Sequence, residues 1–172
     1  TASVAPTLLG QDGPKRYFVG ILNANESRGT GGFLGTYAIL RADRGRLTVE
    51  EVGSNSDLPS FGQLPIDLGE EYFARYGDDP ALIGNMNLSP YFPDAARLWL
   101  HSWKEKTGQS LDGVFTADVE ALGDLLTATG STVALPDGGS LDGAGLTEFA
   151  VRGIYSKFPT VAEQAARKRS EE

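Results

Sequence analysis

Apolar residues arrive in short compact runs over the first third of the chain and at helical spacing further on. Residues 16–22, with Tyr17, Phe18, Val19, Ile21 and Leu22, and residues 33–40, with Tyr37 and Ile39, are rich in β-branched and aromatic side chains and predict strands. Residues 46–54 predict a third strand. Asp43-Arg44-Gly45 joins it to 33–42 with the chemistry of a tight antiparallel hairpin, glycine taking the position of positive φ. A loop over 58–69, broken by Pro59 and Pro65, leads to a short helix at 68–76. A longer helix is predicted over 93–107. Pro93 suits its first turn, Asp94 complements the positive end of its dipole, Lys104 and Lys106 complement the negative end, and Gly108 closes it. Ala95, Leu98, Trp99 and Trp103 form its buried stripe. Then follow a strand at 112–117, a helix at 118–129 opened by Asp118 and closed by Gly130, and a strand at 131–135. A turn at Pro136-Asp-Gly-Gly and helical segments at 145–155 and 160–170 end the chain. Strands alternating with helices predict an α/β/α sandwich whose central sheet the early hairpin makes mixed. Residues 1–15, with Pro6, Gly10, Gly13 and Pro14, read as a lead-in with one short helical turn. Residues 16–172 read as a single domain, open to truncation at its C-terminal side.

Composition narrows the function. A chain of 172 residues, 40% hydrophobic and 22% charged, can bury a real core in one domain. Its 15 basic residues are outnumbered by 23 acidic ones, which argues against nucleic acid as a partner. The basic cluster Arg167-Lys168-Arg169 runs directly into acidic residues and reads as a solvated helix end. Without cysteine there is no disulfide frame, thiol nucleophile or thiolate metal site. His101 is the only histidine; with no Gly-x-Ser-x-Gly elbow in the chain, it reads as an exposed helix residue. Paired acids such as Glu50-Glu51 read as solvated surface, because neighbours along a strand face opposite ways. No window approaches the ~18 apolar residues of a membrane span, and the start has neither Met nor a signal pattern. The chain reads as a piece of a longer protein whose membrane anchor lies elsewhere.

One segment interrupts the strand pattern with polar and flexible residues. Asn23-Ala-Asn-Glu-Ser-Arg-Gly-Thr-Gly-Gly sits between the first two strands and places Arg28 among Gly29, Gly31 and Gly32. Glycines there free backbone N–H groups to turn toward an anion. Ordinary turn punctuation, with Arg28 paired to Glu26 at the surface, explains the same residues. The segment is no P-loop, since no Gly-Lys-Ser/Thr follows, and no dinucleotide fingerprint, since it leads into a strand.

Taken together, Glu26-Ser-Arg28-Gly-Thr-Gly-Gly-Phe33, Asp57 after the third strand, Asn85-Met-Asn87-Leu-Ser-Pro90-Tyr-Phe-Pro93, and Leu111-Asp-Gly-Val114 leading to residues 125–130 resemble a bacterial family of unknown function found in cell-envelope proteins. Through strand-loop-strand order, Arg28, Asp57 and the Leu-Asp-Gly-Val unit, the chain is remotely similar to the LytR-CpsA-Psr phosphotransferases. That resemblance implies an extracytoplasmic LytR-CpsA-Psr-like α/β domain that recognises a polyprenyl-pyrophosphate-linked glycan and transfers its phosphate to a cell-wall polymer with Mg2+. Arg28 would clamp phosphate and, with Asp57, form the catalytic pair. Asp57 and Glu26 would hold the metal. Asn23, Asn25, Glu26, Thr30 and Asn87 would line the substrate side, and Arg152 or Arg167 would reach the pyrophosphate. Two charged groups of the phosphotransferase pattern are missing, because Arg28-Gly29-Thr30 replaces Arg-x-Asp and Ser56-Asp57 replaces Arg-Asp. A non-catalytic module binding the lipid-linked glycan or wall polymer, and a structural envelope domain, are therefore the competing expectations. A binding site predicts Arg28 and Asp57 at one cleft beside an apolar cavity lined from Phe33, Tyr37, Phe92, Trp99 and Trp103, each of which core packing explains as well. A structural role predicts Arg28 consumed by a local salt bridge.

Overall fold

The computed structural model describes residues 5–130, 132–134 and 140–148. They divide into two compact units, Thr1–Asp118 and Val119–Glu172. The first holds a mixed four-stranded sheet. Strands β1 (Lys15–Asn23), β2 (Phe33–Asp43), β3 (Arg46–Ser54) and β4 (Gly113–Asp118) lie in the order β3-β2-β1-β4. β1 runs antiparallel to β2 and parallel to β4, so the expected mixture of directions is centred on the first strand.

Phe18, Leu22, Leu34, Tyr37 and Ile39 bury one face of the sheet beneath helix α3 (Phe92–Thr107). The expected stripe Ala95, Leu98, Trp99 and Trp103 is the face α3 buries, at 1% exposure or less. Phe18 stacks on Tyr37 and Trp99, with ring centres 5.3 and 5.9 Å away. Each such side chain removed from water contributes about 1.5–3 kcal/mol, so this layer dominates the unit's stability. Gly108 ends α3 in the left-handed region, φ 73°, and its N–H bonds the Lys104 carbonyl. A bulge sets the register at the site end of the sheet. Ile21 faces Thr36 but Leu22 faces Leu34, so Gly35 is the extra residue and Leu34, not glycine, fills the core.

The hairpin forms as expected but needs two positive φ values, at Arg44 (50°) as well as Gly45 (81°). Lead-in residues after the short helix α1 (Ala5–Leu8) hold this turn. The Leu9 and Gly10 carbonyls accept from the Gly45 and Arg44 amides at 2.8 and 3.1 Å. The short helix α2 (Glu70–Tyr76) follows the Pro-broken loop, and 3-10 turns at Asn55–Asp57, Asp79–Ala81 and Ile83–Asn85, unforeseen in the sequence, complete this unit.

The second unit contains α4 (Val119–Thr129), the two-stranded ribbon β5 (Val133–Ala134) and β6 (Ser140–Leu141), and α5 (Gly143–Glu148). Gly130 closes α4 at φ 63°, as its position predicts. β6 was not foreseen. The Pro136 turn, most of the helical segment at 145–155 and all of 160–170 lie outside the described residues.

Candidate functional site

Residues 24–32 cap the sheet at the carboxyl ends of its parallel pair, β1 and β4. Asn23 pairs with Phe33 and closes the loop at its base. Asn23 also shapes the first turn from within: its Oδ1 accepts from Asn25 N at 3.1 Å, its carbonyl accepts from Glu26 N at 3.2 Å, and its Nδ2 donates to Glu26 Oε1 at 3.4 Å. Asn23 and Glu26 are thus tied to one another, and Glu26 is not the partner of Arg28.

Arg28 is held by neutral acceptors. Its Nε donates to the Gly84 carbonyl at 3.1 Å and its Nη1 to the Ser27 carbonyl at 2.9 Å. Its guanidinium carbon stands 5.1 Å from the centre of the Phe33 ring, which packs against Gly84 in turn. Two of the five N–H groups and one ring fix the side chain, and no carboxylate among the described residues cancels its charge.

A strap over residues 83–90 fastens the rest of the loop. Asn87, fully buried, donates through Nδ2 to Thr30 Oγ1 at 3.0 Å and to the Gly32 carbonyl at 2.7 Å. Both amide hydrogens are therefore used inside the protein, and Asn87 is a strut beneath the loop instead of a donor to glycan. Thr30 faces the same strut. The glycines have a different use from the expected one as well. A Cβ on Gly29 would overlap the backbone of Leu88, Ser89 and Pro90, and one on Gly32 would overlap that of Asn23 and Ala24. Close packing excludes a side chain at both. The remainder of the Asn85–Pro93 motif starts α3: buried Ser89 donates to Asp94 Oδ2 at 2.9 Å and accepts from Tyr91 N at 3.2 Å.

Asp57 stands at the same end of the sheet. Its Oδ2 accepts from Ser54 N at 2.8 Å and completes a capping box around Asn55–Asp57. One carboxylate oxygen is committed to the backbone; the other has no hydrogen bond among the described residues. The Asn55–Asp57 turn packs on the Ile83–Asn85 turn, whose Gly84 carbonyl receives Arg28, so one strap links the two residues. Asp118, read in the sequence as a helix cap, pairs with Leu22 and brings a second carboxylate to this edge. No three His, Asp or Glu residues among those described gather closely enough to hold a metal. Arg152 and Arg167 lie outside the described residues.

Of the aromatic residues considered as a cavity lining, Tyr37, Trp99 and Trp103 belong to the core, while Phe33 and Phe92 are half-buried at its margin. An open groove of about 580 Å³ lies elsewhere, between residues 63–69 and α2, and touches nothing in the Arg28 loop. His101 is half-buried, its ring 5.5 Å from that of Phe61, so it is a packing residue and not a free surface histidine. Glu50 and Glu51 do not face opposite ways. A bulge between Ile39 and Leu40 leaves Glu50 without a cross-strand partner, and both acids find partners on the α3 side of the sheet. Glu50 accepts from Arg16 Nε at 2.6 Å. Glu51 accepts from the Tyr37 hydroxyl at 3.0 Å and from Lys106 at 3.2 Å, and Lys106 also donates to that hydroxyl. Burial raises the Tyr37 pKa. Burial alone would lower that of Lys106, but its bonds to Tyr37 and Glu51 outweigh this and raise it. The trio ties α3 to the sheet.

Fold and site together define a mixed α/β protein with an arginine, unpaired with any carboxylate among the described residues, in a glycine-packed loop at the carboxyl ends of its parallel strands. The chain belongs to the family described as protein of unknown function (DUF4012), whose profile matches residues 12–155. No curated protein and no solved structure matches it.

Proposed function

We propose that this chain is an extracytoplasmic recognition module whose Arg28 loop binds the phosphate end of a polyprenyl-pyrophosphate-linked glycan or a related wall polymer. One observation carries the reading: Arg28 is oriented by two carbonyls and an aromatic face, so its positive charge is fixed in place without being neutralised. An arginine held by neutral groups retains N–H donors and full charge for an anion, and guanidinium suits phosphate oxygens. Position agrees, because ligands of open α/β sheets bind outside the carboxyl ends of parallel strands.

A second reading, transfer of the glycan phosphate in the manner of LytR-CpsA-Psr enzymes, is favoured by the shared strap that joins Arg28 to the Asp57 turn. Magnesium enters that reading as an ion carried by the pyrophosphate, which needs only one or two protein carboxylates. Asp57, with one oxygen uncommitted, is the group to offer it. Recognition stands ahead of transfer because Asp57 already caps a turn and Asn87 is turned inward.

Calorimetric titration with a short-chain polyprenyl pyrophosphate, with and without magnesium, tests both. Recognition predicts binding that Arg28→Ala weakens by about 10- to 100-fold, the range of one charge-assisted phosphate contact, with little change in Asp57→Ala. Transfer predicts that magnesium tightens binding and that Asp57→Ala removes that increment. No binding by the wild-type chain rejects both.

A further inference from the structure

The groove beside α2 shares no residue with the Arg28 loop. Residues 63–69 form one wall. Leu64, Ile66 and Leu68 are anchored in the hydrophobic core behind them, so the wall is fixed. Helix α2 forms the other wall. Tyr72 makes its buried contact, whereas Phe73 lines the groove and remains 53% exposed. The core does not use Phe73, and a large half-exposed ring in an apolar groove marks an unsatisfied contact. Every charged residue lining the groove is acidic: Asp67, Glu70 and Asp78. Asp67 and Asp78 each place Oδ1 on a backbone N–H, of Gly69 at 2.7 Å and of Leu64 at 2.8 Å, which pins both carboxylates at the groove. Their Oδ2 atoms, and Glu70, take no hydrogen bond among the described residues.

We propose that this groove docks a cationic segment of a partner protein, one bulky apolar side chain packing on Phe73 while flanking Lys or Arg residues meet Asp67, Glu70 and Asp78. Charge complementarity selects that occupant. Three carboxylates beside the apolar floor repel anionic lipid headgroups, phosphates and acidic peptides, and a neutral apolar ligand would leave them without partners. The open shape fits a chain segment laid along the surface, with the aromatic residue as its anchor.

A fluorescein-labelled nonapeptide of alternating Lys and Leu, followed by fluorescence anisotropy, is the probe, with the Glu/Leu peptide of the same length as its counterpart. The expected result is binding of the Lys/Leu peptide alone. Phe73→Ser and the double variant Asp67→Asn/Glu70→Gln each weaken it by about tenfold or more. The double variant Asp12→Asn/Glu105→Gln, which changes net charge equally at exposed positions that do not line the groove, leaves it unaltered. Both groove changes are at exposed positions, and circular dichroism verifies folding. No binding by wild type, equal binding of the Glu/Leu peptide, or equal loss in the Asp12/Glu105 control overturns the proposal.

Discussion

Arg28 differs from three other arginines of its unit in its partners. Arg16, Arg41 and Arg44 end on carboxylates, whereas Arg28 ends on two carbonyls and a ring; Arg97, too, donates to a carbonyl, that of Asp67 at 2.9 Å. Sequence placed Arg28 among glycines but left open whether Glu26 would claim it; that depended on Gly84, 56 positions away. Lysine cannot reproduce a two-pronged bond with ring stacking, so Arg28→Lys should lose most pyrophosphate binding although charge is retained, a result equilibrium titration reads directly. Tyr72 gives a prediction of a different kind. Its buried hydroxyl has no hydrogen-bond partner among the described residues, and burial, with Asp94 and Tyr76 adding to it, pushes its pKa up to about 12. A folded-state pKa raised above the unfolded value near 10 contributes stability that is complete below pH 10 and lost as pH rises through about 12. The loss amounts to about 2–3 kcal/mol. Tyr72→Phe should therefore be neutral or stabilising by up to about 1 kcal/mol at pH 7, and should flatten the decline of chemical-denaturation stability between pH 10 and 12.

At the scale of elements, strands and helices that carry their own signals were legible. The three early strands, the hairpin, the stripe and caps of α3, and the Gly130 stop followed from period, propensity and capping chemistry, all of them local. What escaped the sequence was contact at long separation. The Asn85–Pro93 motif was visible as a motif, but its work, bolting residues 29–32 to the start of α3, depends on contacts across more than 50 positions. The β2–β3 bulge was equally hidden, and it overturned the opposite-face reading of Glu50 and Glu51. Asn87→Ala should lower unfolding free energy by about 1–2 kcal/mol in urea, since it removes two hydrogen bonds, a loss offset in part by removal of Oδ1, which is buried without a partner among the described residues. Gly29→Ala should cost at least about 2 kcal/mol by the same measurement, because the added methyl meets backbone that cannot rotate away.

Over the whole molecule, net charge and the proposed anion site point in different directions. A chain at −8 repels anions at long range, so an anion site must be local, and the Arg28 loop supplies a fixed charge that no carboxylate among the described residues pairs with. The acidic surface instead favours cationic partners, and the groove beside α2 gives that tendency a shaped place. The two features use separate residues, so the proposed anion site and the proposed docking groove can be tested independently. Whether the Arg28 loop is an anion site is read by a two-dimensional 1H–15N NMR titration of the full chain with inorganic pyrophosphate, including the arginine Nε region. An anion site there gives saturable shifts concentrated in the amides of residues 27–32 and 84 and in Arg28 Nε, absent in Arg28→Ala. Shifts confined to other residues, or a loop that stays unchanged at saturating pyrophosphate, would contradict it.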